Sequence, residues 1–494
     1  MNSKSLVVFS VALLCTSLFG LSQCGGGGRG QIPVTTSSSS ARESFAIGAE
    51  LFDNLRLPEA QKYFKKAIDA DPEFALAYLF SALSNPSAKG FFDNIQLAAK
   101  YSGRASKAEQ TLIDACMAGA NGDPSTQTRL LQQLAEQFPK DRRALLFLAS
   151  QYFNLQQYDS AISVCERIVQ LAPSYAPPYN LLGYAYRFVG NMEAAGRSFR
   201  EYIRLIPDDP NPYDSYAELL MHQDRFEAAI EQYQEALRHD RTFGASRIGI
   251  SANLIFLGRY DEARRELQVL IDSAVTTGQR RAGILGMVVS FVDEGNLEMG
   301  LAKLNELYEF DASIPDPATM SADLGSMMLL LVRLGRFEEA GKRLAQAIEV
   351  VDKSDLFARI KKNTRQDAYL SQAMILREQG RLSEARQKAE AYLTEVEPLV
   401  NPGRLRNGYL SLGLISLAEK NYDQAISDMD QADQSQAWTL YHLAMAYEGK
   451  GDTAKAAELY LQAAQKYELN SIPYALIRQN ALRRAEALQV KPVG

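Results

Sequence analysis

Between Arg142 and Thr277 the small and the large apolar side chains recur every thirty-four residues. Alanine holds the same place in four successive units, as Ala161, Ala195, Ala229 and Ala263. Apolar residues three or four apart precede a glycine or polar residue, which stands five places before each alanine. Helical spacing that occurs twice per unit, with a break between, predicts two helices joined by a turn.

Side-chain size explains the pattern within one unit. The first helix of the second unit carries a stripe that faces its own second helix, formed by Tyr179, Leu182, Gly183 and Tyr186. Ala195 on the second helix allows the two backbones to approach closely, and a bulkier residue would overpack the contact. A single helix pair cannot bury its apolar face alone, so the units are expected to stack in series.

This pattern resembles the tetratricopeptide repeat (TPR), a helix-turn-helix unit of the same length. The resemblance implies an all-α fold, a right-handed superhelical solenoid of about 11–12 repeats with a C-terminal capping helix. Arg478, Arg483 and Arg484 are expected on the polar side of that last helix. The predicted organisation is 41–140 degenerate N-terminal units, 141–277 regular array, 278–470 looser array, and 471–494 capping helix and tail.

The N-terminus has the features of an export signal. Residues 1–23 contain a basic residue, an uncharged apolar run that is short for a membrane span, and small residues before Cys24. The stretch Leu21–Cys24 resembles the bacterial lipoprotein signal, which implies a diacylglycerol on the Cys24 thiol. The alternative is a cut after Ser22 and a soluble periplasmic protein. Residues 24–40, rich in glycine and serine, are predicted to form a flexible tether that does not pack.

Composition and motifs exclude several kinds of site. The net charge of −6 and pI near 5.5 give no basic footprint for nucleic acid. Three scattered histidines, His222, His239 and His442, have no partner at metal-binding spacing and are expected at the surface or in a groove. Cys116 and Cys165 lie in apolar runs and are interpreted as core residues. We therefore expect no catalytic residues, no metal and no cofactor.

In the family that this pattern resembles, the first helices line a concave groove, at places two, five, nine, twelve and thirteen of each unit. The predicted protein-binding residues are Phe153, Asn180, Tyr184, Arg187, Phe188, Glu218, His222, Ile255 and Phe256. Phe45, Phe52, Trp438 and Tyr441 are expected to join them near the ends. Aromatic and arginine side chains are frequent anchors in protein recognition. The alternative for each residue is that it packs on the neighbouring unit.

The resulting hypothesis is a non-enzymatic scaffold or assembly lipoprotein that binds a protein or peptide. It would be exported to the cell envelope, anchored to the outer membrane only through its N-terminal lipid, and face the periplasm. The alternatives are a glycan-binding lipoprotein on a helical-repeat platform, a hydrolase and a purely structural spacer. The sequence offers no converging catalytic set and a single tryptophan, which disfavours the first two.

Overall fold

The computed structural model describes residues 30–314, 316–397 and 401–489. The predicted signal peptide and Cys24 lie outside these ranges. Within them the regular structure is helical, including a 3₁₀ turn at Ser102–Arg104, and there is no strand. The helices are α1 Ser39–Asp53, α2 Leu57–Ala70, α3 Ala75–Leu83, α4 Ala88–Tyr101, α5 Lys107–Ala120, α6 Pro124–Gln137, α7 Arg142–Asn154, α8 Tyr158–Leu171, α9 Pro177–Phe188, α10 Met192–Leu205, α11 Pro210–Met221, α12 Phe226–His239, α13 Gly244–Phe256, α14 Tyr260–Ser273, α15 Thr277–Glu294, α16 Leu297–Ala312, α17 Pro317–Arg333, α18 Phe337–Asp352, α19 Ala358–Glu378, α20 Leu382–Val396, α21 Pro402–Ala418, α22 Tyr422–Asp430, α23 Ala437–Lys450, α24 Thr453–Ala464 and α25 Ile472–Gln489.

These helices follow one another in consecutive pairs, which confirms the predicted all-α architecture. The chain forms two compact units, which we describe separately. The N unit comprises the described residues up to Gln223 together with Ala228–Phe243, and the C unit comprises Asp224–Glu227 with the described residues from Gly244 onward. No helix among the described residues has the length and apolar character that crossing a membrane requires.

The repeat positions have the structural roles that the sequence predicts. The turn between paired helices places Gln156, Gly190 and Gly258 at positive φ, between 61° and 82°. Glycine adopts this left-handed conformation without the steric cost that a Cβ adds. The recurring alanines are fully buried, as are the cysteine at position 165 and nearly all of Cys116. At Gly183 a Cβ would lie 2.5 Å from the ring of Phe199, so the contact between α9 and α10 requires glycine.

In the N unit, residues 30–38 pack against the helices, which corrects the prediction of an unpacked tether for this part. The backbone N–H of Ile32 donates to Asp141 at 2.7 Å, and the hydroxyl of Thr35 donates to Glu109 at 2.5 Å. The hydroxyl of Thr36 donates a hydrogen bond at 2.5 Å to the carboxylate of Asp71, in the loop after α2. Side-chain carboxylates satisfy the polar groups of this segment, so its small and polar composition does not prevent packing.

In the C unit the last helix is partly buried rather than a simple polar cap. α25 contacts α15, α23 and α24, and Tyr474, Ile477 and Ala481 on it are buried. Arg478, predicted on the polar side, is also buried and forms an ion pair with Asp293. That part of the prediction is wrong, because a buried carboxylate on α15 supplies a partner that makes burial of the guanidinium tolerable.

Candidate functional site

The first helices of the regular repeats form one face of the N unit. α9 contacts both α7 and α11, and we call the surface of these three helices the N-unit face. Each is the first helix of its pair, so a residue at a given repeat place returns about one repeat later on the next helix. This register brings Tyr184 and Arg187 of α9 next to Glu218 of α11.

Glu218 holds a polar cluster on the N-unit face. It accepts a hydrogen bond from the Tyr184 hydroxyl at 2.9 Å and one from Arg187 Nη1 at 2.8 Å. The ring of His222, the residue that follows α11, lies 3.9 Å from the same carboxylate. Burial disfavours the charge of Glu218, but Arg187, His222 and the two hydrogen bonds outweigh it, and its pKa is lowered. Tyr184 and Arg187 therefore hold the ionised carboxylate of Glu218 in a fixed position on the N-unit face.

An aromatic cluster lies beside the polar one. The rings of Tyr158 and Phe188 are stacked, with centroids 4.8 Å apart and planes 5° apart, and Phe153 meets both edge to face. The guanidinium of Arg187 lies 4.8 Å from the ring of Phe188 and so joins the two clusters. Phe188 remains 50% exposed. The N-unit face thus combines an exposed aromatic ring with a cation held by a carboxylate.

Asn180 lies on the same helix but is buried, with 4% exposure. Its side-chain carbonyl oxygen has no hydrogen-bond partner, which is costly for a buried acceptor. The structure therefore places Asn180 below the surface rather than on it. Six of the predicted residues are brought together here, namely Phe153, Tyr184, Arg187, Phe188, Glu218 and His222.

Ile255 and Phe256, predicted for the same groove, have a different environment in the C unit. Ile255 is buried, and its carbonyl oxygen accepts a hydrogen bond from Arg478 at 3.2 Å. The ring of Phe256 lies 5.1 Å from that of Tyr467 and 6.2 Å from that of Tyr474. The prediction is wrong for Ile255, which is buried, whereas Phe256 is half-buried with Tyr467 and Tyr474 packed on its ring.

Three further expectations are corrected by burial. Phe45 and Phe52 belong to an aromatic core in the N unit, where their rings lie 5.2 and 5.1 Å from that of Phe80. His442 is buried in the C unit and pairs with the backbone oxygen of Trp438 at 2.8 Å, and burial lowers its pKa to about 3. An aromatic or histidine side chain at a groove place cannot be distinguished by sequence from one that fills a gap between units.

Sequence reasoning missed Tyr158, which packs on two of the predicted residues. It is the first residue of α8, a second helix, whereas the predicted binding residues were all assigned to first helices. The sequence contains a pattern that could have identified Tyr158, because an aromatic residue also begins four other second helices. These residues are Phe226, Tyr260, Phe337 and Tyr422. The described residues contain no group of three or more His, Cys, Asp or Glu side chains that could hold a metal ion.

Comparison with known proteins supports the repeat assignment. Models of the tetratricopeptide repeat match residues 118–176, 176–209, 220–282, 327–398 and 438–468. Over 97 residues, 20% of this chain, the sequence is 32% identical to the BBSome complex member BBS4 of Mus musculus and to that of Bos taurus. The chain spans only 19% of the length of these curated relatives.

Similar solved structures include other repeat proteins. A thermophilic TPR protein of Thermus thermophilus is 18% identical, with 44% of this chain and 99% of that chain covered and a TM-score of 0.30. A tetratricopeptide repeat protein of Parabacteroides merdae is 13% identical, with 52% and 96% covered and a TM-score of 0.37. From its repeat pattern, its paired helices and the matching family models, the chain is shown to carry tetratricopeptide repeats in both units.

Proposed function

We propose that the protein is a non-enzymatic scaffold that binds a protein or peptide partner on the N-unit face. The observation that carries the proposal is the half-exposed ring of Phe188, held between Tyr158, Phe153 and Arg187. An aromatic side chain fixed by its neighbours loses little conformational entropy when a partner covers it. Burial of its exposed area would then contribute directly to affinity.

The polar cluster supports selectivity on the same face. Arg187 is already paired with Glu218, so an incoming group must complement a dipole rather than a free cation. Donors and acceptors with fixed positions penalise a partner whose own polar groups do not match them. A peptide that carries an apolar side chain beside hydrogen-bonding backbone would satisfy both clusters.

The N-terminal sequence supports a second part of the proposal, that the scaffold is exported and anchored in the cell envelope through a lipid on Cys24. A basic start, a short apolar run and a cysteine after small residues are the supporting features. Mass spectrometry of the mature N-terminus should detect a diacylglycerol-modified Cys24. An unmodified protein that starts at Gln23 would exclude the anchor without affecting the scaffold proposal.

The binding proposal can be tested by crosslinking and pull-down from solubilised envelopes with Phe188→Ala and a matched control. Leu171→Ala is suitable as the control, because Leu171 is an apolar residue of similar exposure, 44%, on a second helix. We expect a defined partner protein, identified by mass spectrometry, to bind the wild type and Leu171→Ala and to be lost with Phe188→Ala. Equal binding by both variants would contradict the N-unit face, and retention of glycans instead of protein would favour the glycan-binding alternative.

A further inference from the structure

Arg333 and Trp438 lie next to each other in the C unit, although several helices separate them along the chain. The guanidinium carbon of Arg333, the last residue of α17, lies 5.4 Å from the ring of Trp438 near the start of α23. Both α17 and α23 are first helices, and α19 and α21 are the first helices between them. The series α17, α19, α21 and α23 is therefore curved closely enough to bring the end of α17 next to the start of α23. We call the surface of these four helices the first-helix side of the C unit.

Arg333 holds the repeat place of Phe188, two residues before the turn glycine, and has no acidic partner of the kind that holds Arg187 in the N unit. Arg187 pairs with Glu218, the ninth residue of the following repeat, whereas no carboxylate of the described residues lies within ion-pair distance of Arg333. The ninth residue of the repeat that follows Arg333 is Met374. Arg377, on the next first helix, pairs with Glu378, its neighbour in sequence, and the ninth residue of the repeat that follows is Leu414.

A second arginine, Arg377, lies near enough to Arg333 for their charges to repel. The Arg333 side chain is exposed to solvent, but the protein atoms around it lower the pKa of its guanidinium. The carboxylate of Glu378 raises this pKa, and the charge of Arg377 lowers it further. The pKa of His442 is also lowered, by burial and then by the charges of Arg377 and Arg333.

The neighbouring surface is apolar and aromatic. Trp438 and Tyr441 are half-buried on α23, and Met445, one turn later, is 37% exposed. Glu448, the acidic residue at the end of the same helix, is already paired with Arg484 and accepts a hydrogen bond from Tyr460. It therefore does not serve as the counter-ion of Arg333.

We propose that Arg333, held beside Trp438, forms a subsite for an acidic side chain of a protein partner on the first-helix side of the C unit. The inference rests on the proposed scaffold function and names the chemistry of a second contact with its partner. A guanidinium binds a carboxylate through two parallel hydrogen bonds, and the ring of Trp438, 5.4 Å from the guanidinium carbon, restricts where the Arg333 side chain can lie. The apolar neighbours would accommodate aliphatic residues adjacent to the acidic one.

The intrinsic fluorescence of Trp438 is a direct probe, because it is the single tryptophan of the sequence. The full-length protein would be titrated with a capped hexapeptide of alternating glutamate and leucine, and separately with its glutamine counterpart. We expect a saturable fluorescence change with the glutamate peptide, and an apparent affinity at least about tenfold weaker for the glutamine peptide. Because both termini are capped, a terminal carboxylate cannot account for the difference.

Arg333→Met should abolish the preference for glutamate over glutamine, whereas Arg336→Met should preserve it. Arg336 is a matched control, since it lies three residues away and is paired with Glu339 and Glu298. Three results would each overturn the subsite. The wild type and Arg333→Met could give equal titrations, the fluorescence could show no saturable change, or inorganic phosphate alone could produce the same change. If Arg333→Met leaves binding of an identified partner intact while Phe188→Ala removes it, the subsite fails and the scaffold proposal stands.

Discussion

Arg478 donates two hydrogen bonds to the carboxylate of Asp293, at 2.6 and 2.7 Å, across 185 residues of sequence. The two side chains are 3% and 2% exposed, so water does not compete for either partner. Tyr260 also donates to this carboxylate, at 2.9 Å. One buried charged network thus fixes α25 against the helices at the beginning of the C unit.

Substitution of Arg478 by methionine should destabilise the C unit by about 3–5 kcal/mol, because it leaves Asp293 buried without its cation. Arg483→Met is the matched control, since Arg483 lies on the same helix, is exposed and bonds only to Asn480. Hydrogen exchange should show loss of amide protection along α25 in the first variant only. Equal protection in both variants would mean that the ion pair does not hold the helix in place.

Asp323 should make the C unit less stable as the pH rises. Arg281 bridges Asp311 at 2.7 Å and Asp323 at 2.5 Å, and burial, followed by the proximity of Asp311, raises the pKa of Asp323 above its ordinary 3.8. A raised pKa in the folded state gives stability that is complete below the unfolded pKa and is lost as the pH rises through the folded pKa.

The Asp323→Asn variant should remove this pH dependence, because asparagine resembles the protonated acid. In urea unfolding between about pH 5 and about pH 8, the wild type should lose stability relative to the variant as the pH increases. Asp261→Asn, at an exposed carboxylate, should follow the wild type. Parallel curves for wild type and Asp323→Asn would contradict the assignment.

Two glycine-to-alanine substitutions should have opposite effects. At Gly183 the added Cβ would meet the ring of Phe199, and overpacking should cost about 1–3 kcal/mol. At Gly341, inside α18, no atom lies within 4 Å of the added Cβ, so the higher helix propensity of alanine should stabilise by about 0.5–1 kcal/mol. Thermal unfolding of both variants would measure the difference, and a stabilising Gly183→Ala would show that Phe199 can move aside.

Phe188 and Phe256 hold the same repeat place but should respond differently to alanine. Phe256→Ala removes a ring that Tyr467 and Tyr474 cover, and it should cost about 3 kcal/mol in unfolding free energy. Phe188→Ala removes a half-exposed ring and should cost about 1 kcal/mol or less while it abolishes partner binding. Urea unfolding monitored by circular dichroism would separate the two, and equal losses would contradict the distinction.

The sequence was sufficient for features that are encoded locally. The alanine and glycine places of each repeat predict helix pairs, and the structure has those pairs with the predicted turns near Gly190 and Gly258. The position of α25 could not be predicted in this way, because the contacts of Arg478 and Tyr467 depend on residues about 185–243 positions away. No repeat pattern specifies which arginine of a terminal helix will meet a buried carboxylate.

The same limit applies to the candidate site. Tyr184, Arg187 and Glu218 were predicted only as members of one groove, and the structure shows that Tyr184 and Arg187 bond to Glu218, one repeat later. Register also assigns Phe256 to the binding face. This assignment ignores Tyr467 and Tyr474, which come from a distant segment and pack on the Phe256 ring. Burial of Phe45 and Phe52 has a similar origin, since Phe80 from the next helix pair fills the space before them.

The bonds of Ile32 to Asp141 and of Thr35 to Glu109 determine how far the protein could extend from a lipid at Cys24. With a lipid on Cys24, the eight peptide links from Cys24 to Ile32 would span at most about 29 Å if fully extended. A pull on the anchor would load α7 and α5 through these side chains before it reached the beginning of α1. Mechanical tension from the membrane would therefore enter the repeats laterally, at their third and fourth helix pairs, rather than from the end of the stack.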